Sequence, residues 1–357
     1  MRVALVHDDL VQWGGAERVL FGFSKIYPDA PIYTSLFDRT NSSLMRNFGT
    51  KKIITSFLQK IPGWKGLYKV LLPLYPLAFE QFNFDQYDLV ISHTTRFAKS
   101  IITKPATVHI CYCHTPPRFL WHFSGEQNYG LGEILLTKLR LYDQVSARRV
   151  DHFIGGSKNA KRRIKRVYGV ESKVVYPFVD LERFTGVERF DGGYFVVISR
   201  PSKYKRVDLA AKACSELGVP LRVIGGLGDF RGIRGIRGVE FLEKLDDRMV
   251  INILAGCKAL IIPGVEDFGL TSLEAQALGK PVVAFKEGGA LETVIESKTG
   301  IFFDKQTVDS LKKALMELDT MRINPEDCRR NAEAFGKEKF IKTFQQTVAS
   351  LLYTRKA

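Results

Sequence analysis

The chain has 357 residues, more than one ordinary hydrophobic core accommodates, and this length favours two domains of common size. A content of 45% hydrophobic and 25% charged residues is that of a globular chain, without the compositional bias of disorder. The net charge of +15 is uneven: residues 1–175 carry 25 Lys+Arg against 13 Asp+Glu, so one surface of the first half should be strongly basic.

The amino terminus, MRVALVHDDL, has an apolar run that ends at Asp8, too short for a signal peptide, and reads as a first strand. Next comes GGAERVLFGFSKIY, a helical pattern opened by Gly14 and Gly15. Glycines between a strand and a helix let backbone approach a ligand closely, although a tight turn without a ligand would also use them. Between Asp38 and Glu80 there is no acidic residue, while Arg39, Arg46, Lys51, Lys52, Lys60, Lys65 and Lys69 are all cationic. Phe57, Leu58, Trp64, Leu67, Tyr68 and Leu71 interleave with these lysines, the pattern of a segment lying in an anionic bilayer interface; a core lining beneath a solvated basic face fits the same residues. The most apolar stretch, Val70 to Phe79, is broken by Pro73 and Pro76 and is too short to span a bilayer. The expectation is therefore a cytoplasmic protein, peripheral at the inner membrane surface.

DLVISH, TVHICYCH, and HFIGG followed by SKNAKRRIKRVYG continue a rhythm of β-strands and helices that implies a parallel sheet. His114 ends one of these strands, and a proline-stiffened loop with Arg118 and Trp121 follows. The five cysteines lie mostly in apolar runs and read as reduced core residues, and Cys111 and Cys113 lack the partners a metal site needs. The cluster Lys158, Lys161, Arg162, Arg163, Lys165 and Arg166 keeps a nucleic-acid-binding alternative open, although no recognised nucleic-acid module accompanies it. A second series of strands begins at YFVVISR and runs through PLRVIGG, KALIIPG, KPVVAF and TGIFF. The expected fold class is α/β with two doubly wound halves: residues 1–177, residues 178–335, and a C-terminal helix over 336–357, patterned from Asn331 to Leu352, whose packing partner the spacing leaves open.

The segment from Ile261 to Phe285 reads strand, turn, helix, strand. It places Glu266 and Asp267 at the carboxyl end of a strand, where open parallel sheets bind ligands. Backbone N–H groups of Gly269, Leu270 and Thr271 would open the helix as an anion site suited to a diphosphate, with Glu274 about one turn in.

Glu266 and Glu274 with seven residues between them, Phe268–Gly269 among those seven and GKPV after them, resemble the donor site of glycosyltransferase family 4. That resemblance implies the GT-B architecture, two facing Rossmann-like domains with a deep interdomain cleft, the first binding the acceptor and the second the nucleotide-sugar. It implies that Glu266 holds the donor sugar's hydroxyls and Glu274 the ribose, roles that suit carboxylates because each accepts two hydroxyl donors. Arg200 and Lys205 in ISRPSKYKRVDLA resemble the family's diphosphate-gripping cations, and such charges stabilise the leaving group as the sugar–oxygen bond breaks. Gly14 and Gly15 match the family's glycine-rich loop. The CYCHTP segment is similar to a mannosyltransferase-like branch and implies that His114 contacts the sugar; the remaining histidines receive no role.

The chain has no D-x-D tripeptide, so the expectation is metal-independent transfer without a cofactor. The family is retaining, which implies front-face attack. The expected enzyme transfers a hexose, mannose from GDP-mannose first among the candidates, to a saccharide or lipid-linked acceptor in cell-surface polysaccharide or glycolipid synthesis. UDP-glucose or related donors, an inactive GT-B partner protein and a sugar-nucleotide epimerase are the alternatives. Three residues depart from the family pattern: Ser199 stands where glycine is common, and Glu243 and Lys244 replace small residues expected near the base.

Overall fold

The computed structural model describes residues 1–67, 70–121, 123, 132–199, 202–225, 233, 235–243 and 245–354. Among these, residues 1–123, 132–177 and 340–354 form one compact unit and residues 178–339 a second.

The first unit is built on seven parallel strands: β1 Val3–His7, β2 Ile32–Thr34, β3 Ile53–Thr55, β4 Leu89–Thr94, β5 Val108–Cys113, β6 His152–Gly155 and β7 Ser172–Val174. Their order across the sheet is β3-β2-β1-β4-β5-β6-β7. The central strands are apolar on both faces, as parallel strands covered by helices must be. Ala4, Val6 and Val90 pack with Tyr75, Phe79, Phe82 and Phe97, and each fully buried side chain of this kind contributes about 1.5–3 kcal/mol. On the other side, helix Gly15–Ile26 buries Val19, Leu20 and Phe23. The chain's last helix, Lys337–Thr354, belongs to this unit from Phe340 onward: Phe344 meets Phe23 at 4.5 Å and Tyr112 at 6.3 Å, and Lys173 Nζ donates to Ser350 Oγ at 3.0 Å. The helical pattern over 331–352 is in fact two helices, Pro325–Glu333 and Lys337–Thr354, with Gly336 in the break, where Val179 N–H donates to the Phe335 carbonyl at 3.0 Å.

Helix Lys158–Tyr168 shows how the basic cluster is accommodated. Ser157 caps its start by accepting from the Ala160 N–H at 2.8 Å, and Gly169, with φ of 72°, ends it. Ala160 and Ile164 face inward, while Lys158, Arg162, Lys165 and Arg166 are exposed and Arg163 is buried against the Thr115 hydroxyl.

The second unit has six parallel strands: β8 Tyr194–Ile198, β9 Leu221–Ile224, β10 Val239–Leu242, β11 Cys257–Ile262, β12 Val282–Phe285 and β13 Gly300–Phe303, in the order β10-β9-β8-β11-β12-β13. Phe195, Val223, Ile261 and Val283 on one face meet Val207, Ala210, Ala211 and Cys214 of helix Val207–Leu217 and Leu311 and Leu315 of helix Val308–Thr320. Both sheets therefore have the Rossmann-like arrangement of GT-B proteins, with order reversing between β1 and β4 in one and between β8 and β11 in the other. In open parallel sheets ligands bind outside the carboxyl ends of strands at such a switch point. All five cysteines are free and buried, and burial pushes the thiols of Cys214, Cys257 and Cys328 up to about 12.

Candidate functional site

In the second unit the chain leaves β11 through Pro263 and Gly264 and reaches Glu266. A Cβ on Gly264 would lie 2.4 Å from the Tyr204 carbonyl oxygen and 2.8 Å from Lys205 Cα, so only glycine lets the turn Lys203–Lys205 sit this close. The result is a contact between two residues 61 apart: Lys205 Nζ lies 2.5 Å from Glu266 Oε1, with side chains 16% and 18% exposed. Gly269 adopts φ of 94° and opens helix Leu270–Ala277, whose first turn has no side-chain cap. That start is held from below by a segment outside the motif. Gly289 N–H donates to the Glu266 carbonyl at 2.8 Å, and a Cβ there would fall 2.3 Å from Phe268 Cα. Phe268 is buried against Phe335, while Glu266, Leu270 and Thr271 stay half-buried.

Glu274 is buried one turn into the helix and accepts from Arg183 Nη1 at 2.6 Å. Arg183, from the turn Leu181–Phe184, also donates through Nη2 and Nε to the Asp247 carboxylate at 2.5 and 2.9 Å. Burial alone would lower the Arg183 pKa, but the Glu274 and Asp247 carboxylates outweigh it and hold it above its ordinary value. Sequence reasoning did not find Arg183, because nothing in LERF marks it and its partner lies 91 residues on. Arg200 and Lys244 lie outside the described residues.

In the first unit Asp8 follows β1 at the switch point. Its buried carboxylate accepts from the backbone N–H groups of Thr95, Arg96, Phe97 and Ala98 at 2.6–2.9 Å and from two threonine hydroxyls. Burial pushes its pKa upward, and the Arg96 charge, His7 and these N–H donors reverse that, leaving it below the usual carboxylate value. Asp9 pairs with Arg96. Gly14 caps helix Gly15–Ile26 in extended backbone; its N–H donates to Glu17 Oε2 at 2.8 Å, and a Cβ there would stand 3.2 Å from that oxygen.

His114 lies one residue past β5, where its N–H donates to the Thr94 carbonyl at 3.1 Å and its half-buried ring sits over Gly156. Its Nε2 is 2.6 Å from His93 Nε2, and His93 Nδ1 is 3.0 Å from His7 Nδ1. His7 and His93 are buried residues that the sequence left without a role. The register does align His7 with His93, and a βαβ reading of the two strands could have found that pairing. Trp121, which ends a short helix Arg118–Trp121 rather than lying in a loop, donates to Asp143, which also pairs with the buried Lys99, so it has a structural partner.

The basic segment divides its apolar residues. Leu58, Leu71, Leu72, Tyr75, Phe79 and Phe82 enter the core, whereas Phe57, Leu67, Val70, Leu74 and Leu77 are exposed; Tyr68 and Lys69 lie outside the described residues. Among the described residues no helix is long and apolar enough to cross a membrane, and no cluster of three or more His, Cys, Asp or Glu is placed to hold a metal ion.

Two family models match in tandem: "Glycosyltransferase Family 4" over residues 13–183 and "Glycosyl transferases group 1" over residues 180–335. An uncharacterized glycosyltransferase of Methanocaldococcus jannaschii is 27% identical over 58% of this chain and 59% of its own length. The mouse alpha-1,3/1,6-mannosyltransferase ALG2 is 22% identical over 98% of this chain and 96% of its own. A GDP-mannose-dependent phosphatidylinositol monomannoside mannosyltransferase of Corynebacterium glutamicum is 40% identical over 22% of each chain. The Anabaena protein HepE, solved with UDP and glucose, superposes with a TM-score of 0.70 at 18% identity, covering 98% of this chain and 100% of its own.

Proposed function

The chain belongs to glycosyltransferase family 4 and is a glycosyltransferase acting from a nucleotide-sugar, and we propose that it transfers mannose from GDP-mannose, metal-independently and with retention, to a saccharide or lipid-linked acceptor. The observation that carries this reading is the Lys205–Glu266 pair beside the uncapped start of helix Leu270–Ala277. Glu266 is the acceptor for sugar hydroxyls, and Lys205, Arg200 and the first-turn N–H groups are the donors for the diphosphate. Glu274, oriented by Arg183, receives the ribose hydroxyls. Gly14 and Gly15 border the phosphates, and His114 contacts the sugar.

Because Lys205 and Glu266 already satisfy each other, donor binding is an exchange of partners. The ammonium turns to phosphate oxygens, and the carboxylate turns to hydroxyls. A lysine fixed on the leaving diphosphate gains interaction energy as negative charge accumulates there, which lowers the barrier more than it tightens the ground state. The leaving phosphate then takes the acceptor's proton on the face it departs from. Mannose and GDP are supported by the names of the relatives. The exposed Leu67, Val70, Leu74 and Leu77 near Lys60 and Lys65 support an anionic membrane surface as the place where a lipid-linked acceptor in polysaccharide or glycolipid synthesis is met.

A thermal-shift panel of GDP-, UDP-, dTDP- and ADP-sugars tests the donor: ligand at a hundred times its Kd stabilises by about 2.7 kcal/mol, so GDP-mannose should stand out. A larger shift with UDP-glucose would replace it. Transfer assayed with and without a chelator, followed by NMR of the anomeric proton, tests the rest. Loss of activity restored by magnesium or manganese, or an inverted anomer, would overturn the mechanism. Salt-sensitive nucleic-acid binding with no response to any nucleotide-sugar would overturn the assignment of function.

A further inference from the structure

Strands β1, β4 and β5 lie side by side in the first sheet, with His7 aligned to His93 and His93 to Tyr112. Three imidazoles consequently form one continuous row. The His7 and His93 rings stack with centroids 4.9 Å apart, and His93 meets His114 at 4.6 Å. The nitrogens connect in sequence: His7 Nδ1 to His93 Nδ1 at 3.0 Å, then His93 Nε2 to His114 Nε2 at 2.6 Å. At the far end His7 Nε2 stands 3.8 Å from Glu17 Oε1. Phe23 packs edge-on to His93, and Tyr112 lies against both His93 and His114. Burying this row among aromatic rings is costly unless each nitrogen is matched to a donor or acceptor, so the row has a definite polarity.

That polarity can be derived. His7 Nδ1 lies 3.3 Å from the His93 carbonyl oxygen as well as 3.0 Å from His93 Nδ1. A carbonyl only accepts, so His7 Nδ1 carries a hydrogen. His93 Nδ1 is then an acceptor, and the single hydrogen of a neutral His93 is on Nε2. Donated to His114 Nε2, it leaves the hydrogen of a neutral His114 on Nδ1. We propose that Glu17, His7 and His93 are positioning residues that hold His114 as its Nδ1–H tautomer and keep a proton in reserve for it. This rests on the reading of His114 as a residue that contacts the donor sugar.

The reserve works by two concerted shifts. The His7 Nδ1 proton passes to His93 Nδ1, and the His93 Nε2 proton passes to His114 Nε2. His7 becomes neutral and His114 becomes an imidazolium, with no change in the number of protons. The surroundings favour storage at the His7 end. His7 is faced by Glu17 from helix Gly15–Ile26, by Asp8 and Asp9 after β1, with Arg96 against them, and by His93 from β4. Burial opposes a charge on His7, but Glu17, Asp8 and Asp9 overcome it and raise its pKa above 6.5. His93 is faced by His7, His114 and Tyr112; burial and the two neighbouring imidazoles hold it well below that value, so it stays neutral. Tyr112, which also packs against His114, is held un-ionised by burial.

The test is long-range 1H–15N NMR of the full chain labelled with 15N-histidine, His114→Gln assigning the signal, alongside transfer kinetics against pH. Wild type should show His114 protonated on Nδ1. In His93→Phe, which keeps ring volume but neither donates nor accepts, His114 should move toward the Nε2–H form of free imidazole, and kcat should fall at least about tenfold with the donor KM within about twofold. Glu17→Gln keeps an acceptor for Gly14 N–H and guards against misfolding in the first variant; it should lower the His7 pKa and shift the acidic limb of the kcat profile. An Nε2–H tautomer in wild type, or two folded variants with wild-type kcat and pH profile, would overturn the proposal. A wild-type protein with the Nδ1–H signature that transfers no hexose would refute the transferase mechanism while leaving the polarity of the row standing.

Discussion

Glu266→Gln should separate transfer from nucleotide binding, in opposite directions. Lys205 Nζ is 2.5 Å from Glu266 Oε1, and the two side chains are 16% and 18% exposed. A charge-assisted hydrogen bond of this kind is worth about 1.5–3 kcal/mol, and the small residual exposure places it toward the lower end. GDP alone has no hexose to offer Glu266, so drawing Lys205 to the diphosphate weakens this pair. The amide removes the charge that holds Lys205, and recovering about 1.4 kcal/mol would tighten GDP about tenfold. Transfer moves the other way. The amide has one accepting oxygen where the carboxylate has two, and loses the charge that strengthens both hydroxyl contacts; at about 1.5–3 kcal/mol for one such bond, kcat/KM falls roughly tenfold to a hundredfold. Isothermal titration with GDP and a transfer assay with GDP-mannose give the two numbers. Equal losses in both would refute the partner-exchange argument, because they would mean Glu266 supports nucleotide and sugar alike.

Arg183→Ala should weaken nucleotide binding about tenfold and lower Tm by a few degrees, since it leaves the buried Glu274 without the cation 2.6 Å away; calorimetry and titration read the two effects. Lys99→Met should cost about 3–5 kcal/mol in urea unfolding, because Asp143, fully buried with Lys99, loses its cationic partner. Asp8, whose pKa is lowered below 3.8, stabilises the fold fully above that value, and the contribution is lost as pH falls through the folded pKa. Asp8→Asn should therefore lose less stability than wild type between about pH 5 and about pH 3, measured as urea midpoints; a greater loss in the variant would contradict the N–H cradle. Val70→Glu with Leu77→Glu, at two exposed apolar positions, should cut cosedimentation with phosphatidylglycerol vesicles at least about tenfold while leaving GDP binding unchanged.

Legibility in the sequence followed the range of the interaction. Most strands, the two-unit organisation and the helix after Gly269 are set by local periodicity and by a glycine at positive φ and can be read along the chain, whereas β2, β3, β7 and β10, three or four residues each at or next to the sheet edges, do not stand out. The Glu266 motif is local as well, spanning one strand, one turn and one helix. What supports it is not local. Gly264 matters because Lys205 passes beside it, and Gly289 because Phe268 does; neither neighbour is near in sequence. Arg183 and the row of His7, His93 and His114 are likewise products of topology, since a parallel sheet aligns residues 86 apart only after the intervening helices have returned the chain. The basic segment was ambiguous for a different reason. Its prolines break the period into short turns, so which apolar residues point inward depends on packing that periodicity does not encode.

The two switch points solve one problem in two ways. Each collects charged or titratable groups where strands end, and in each those groups are satisfied by one another or by backbone. In the second unit the solution is reciprocal: Lys205 neutralises Glu266, and Arg183 neutralises Glu274, cations and carboxylates that suit the phosphates and hydroxyls of a nucleotide-sugar. Such pairs exchange partners at low cost, because an ammonium leaving a carboxylate for a phosphate keeps a charge-assisted bond throughout. In the first unit the solution is not exchangeable. Asp8 spends its acceptor capacity on four successive backbone N–H groups, and His93 lies between two fixed imidazoles. Bonds to backbone and to neighbouring rings suit groups that orient a reacting centre rather than groups that recognise a donor. A substitution in the second set should therefore change chiefly affinities, whereas one in the first should change chiefly the rate at saturating donor, a division that the KM and kcat of Arg183→Ala and His93→Phe measure directly.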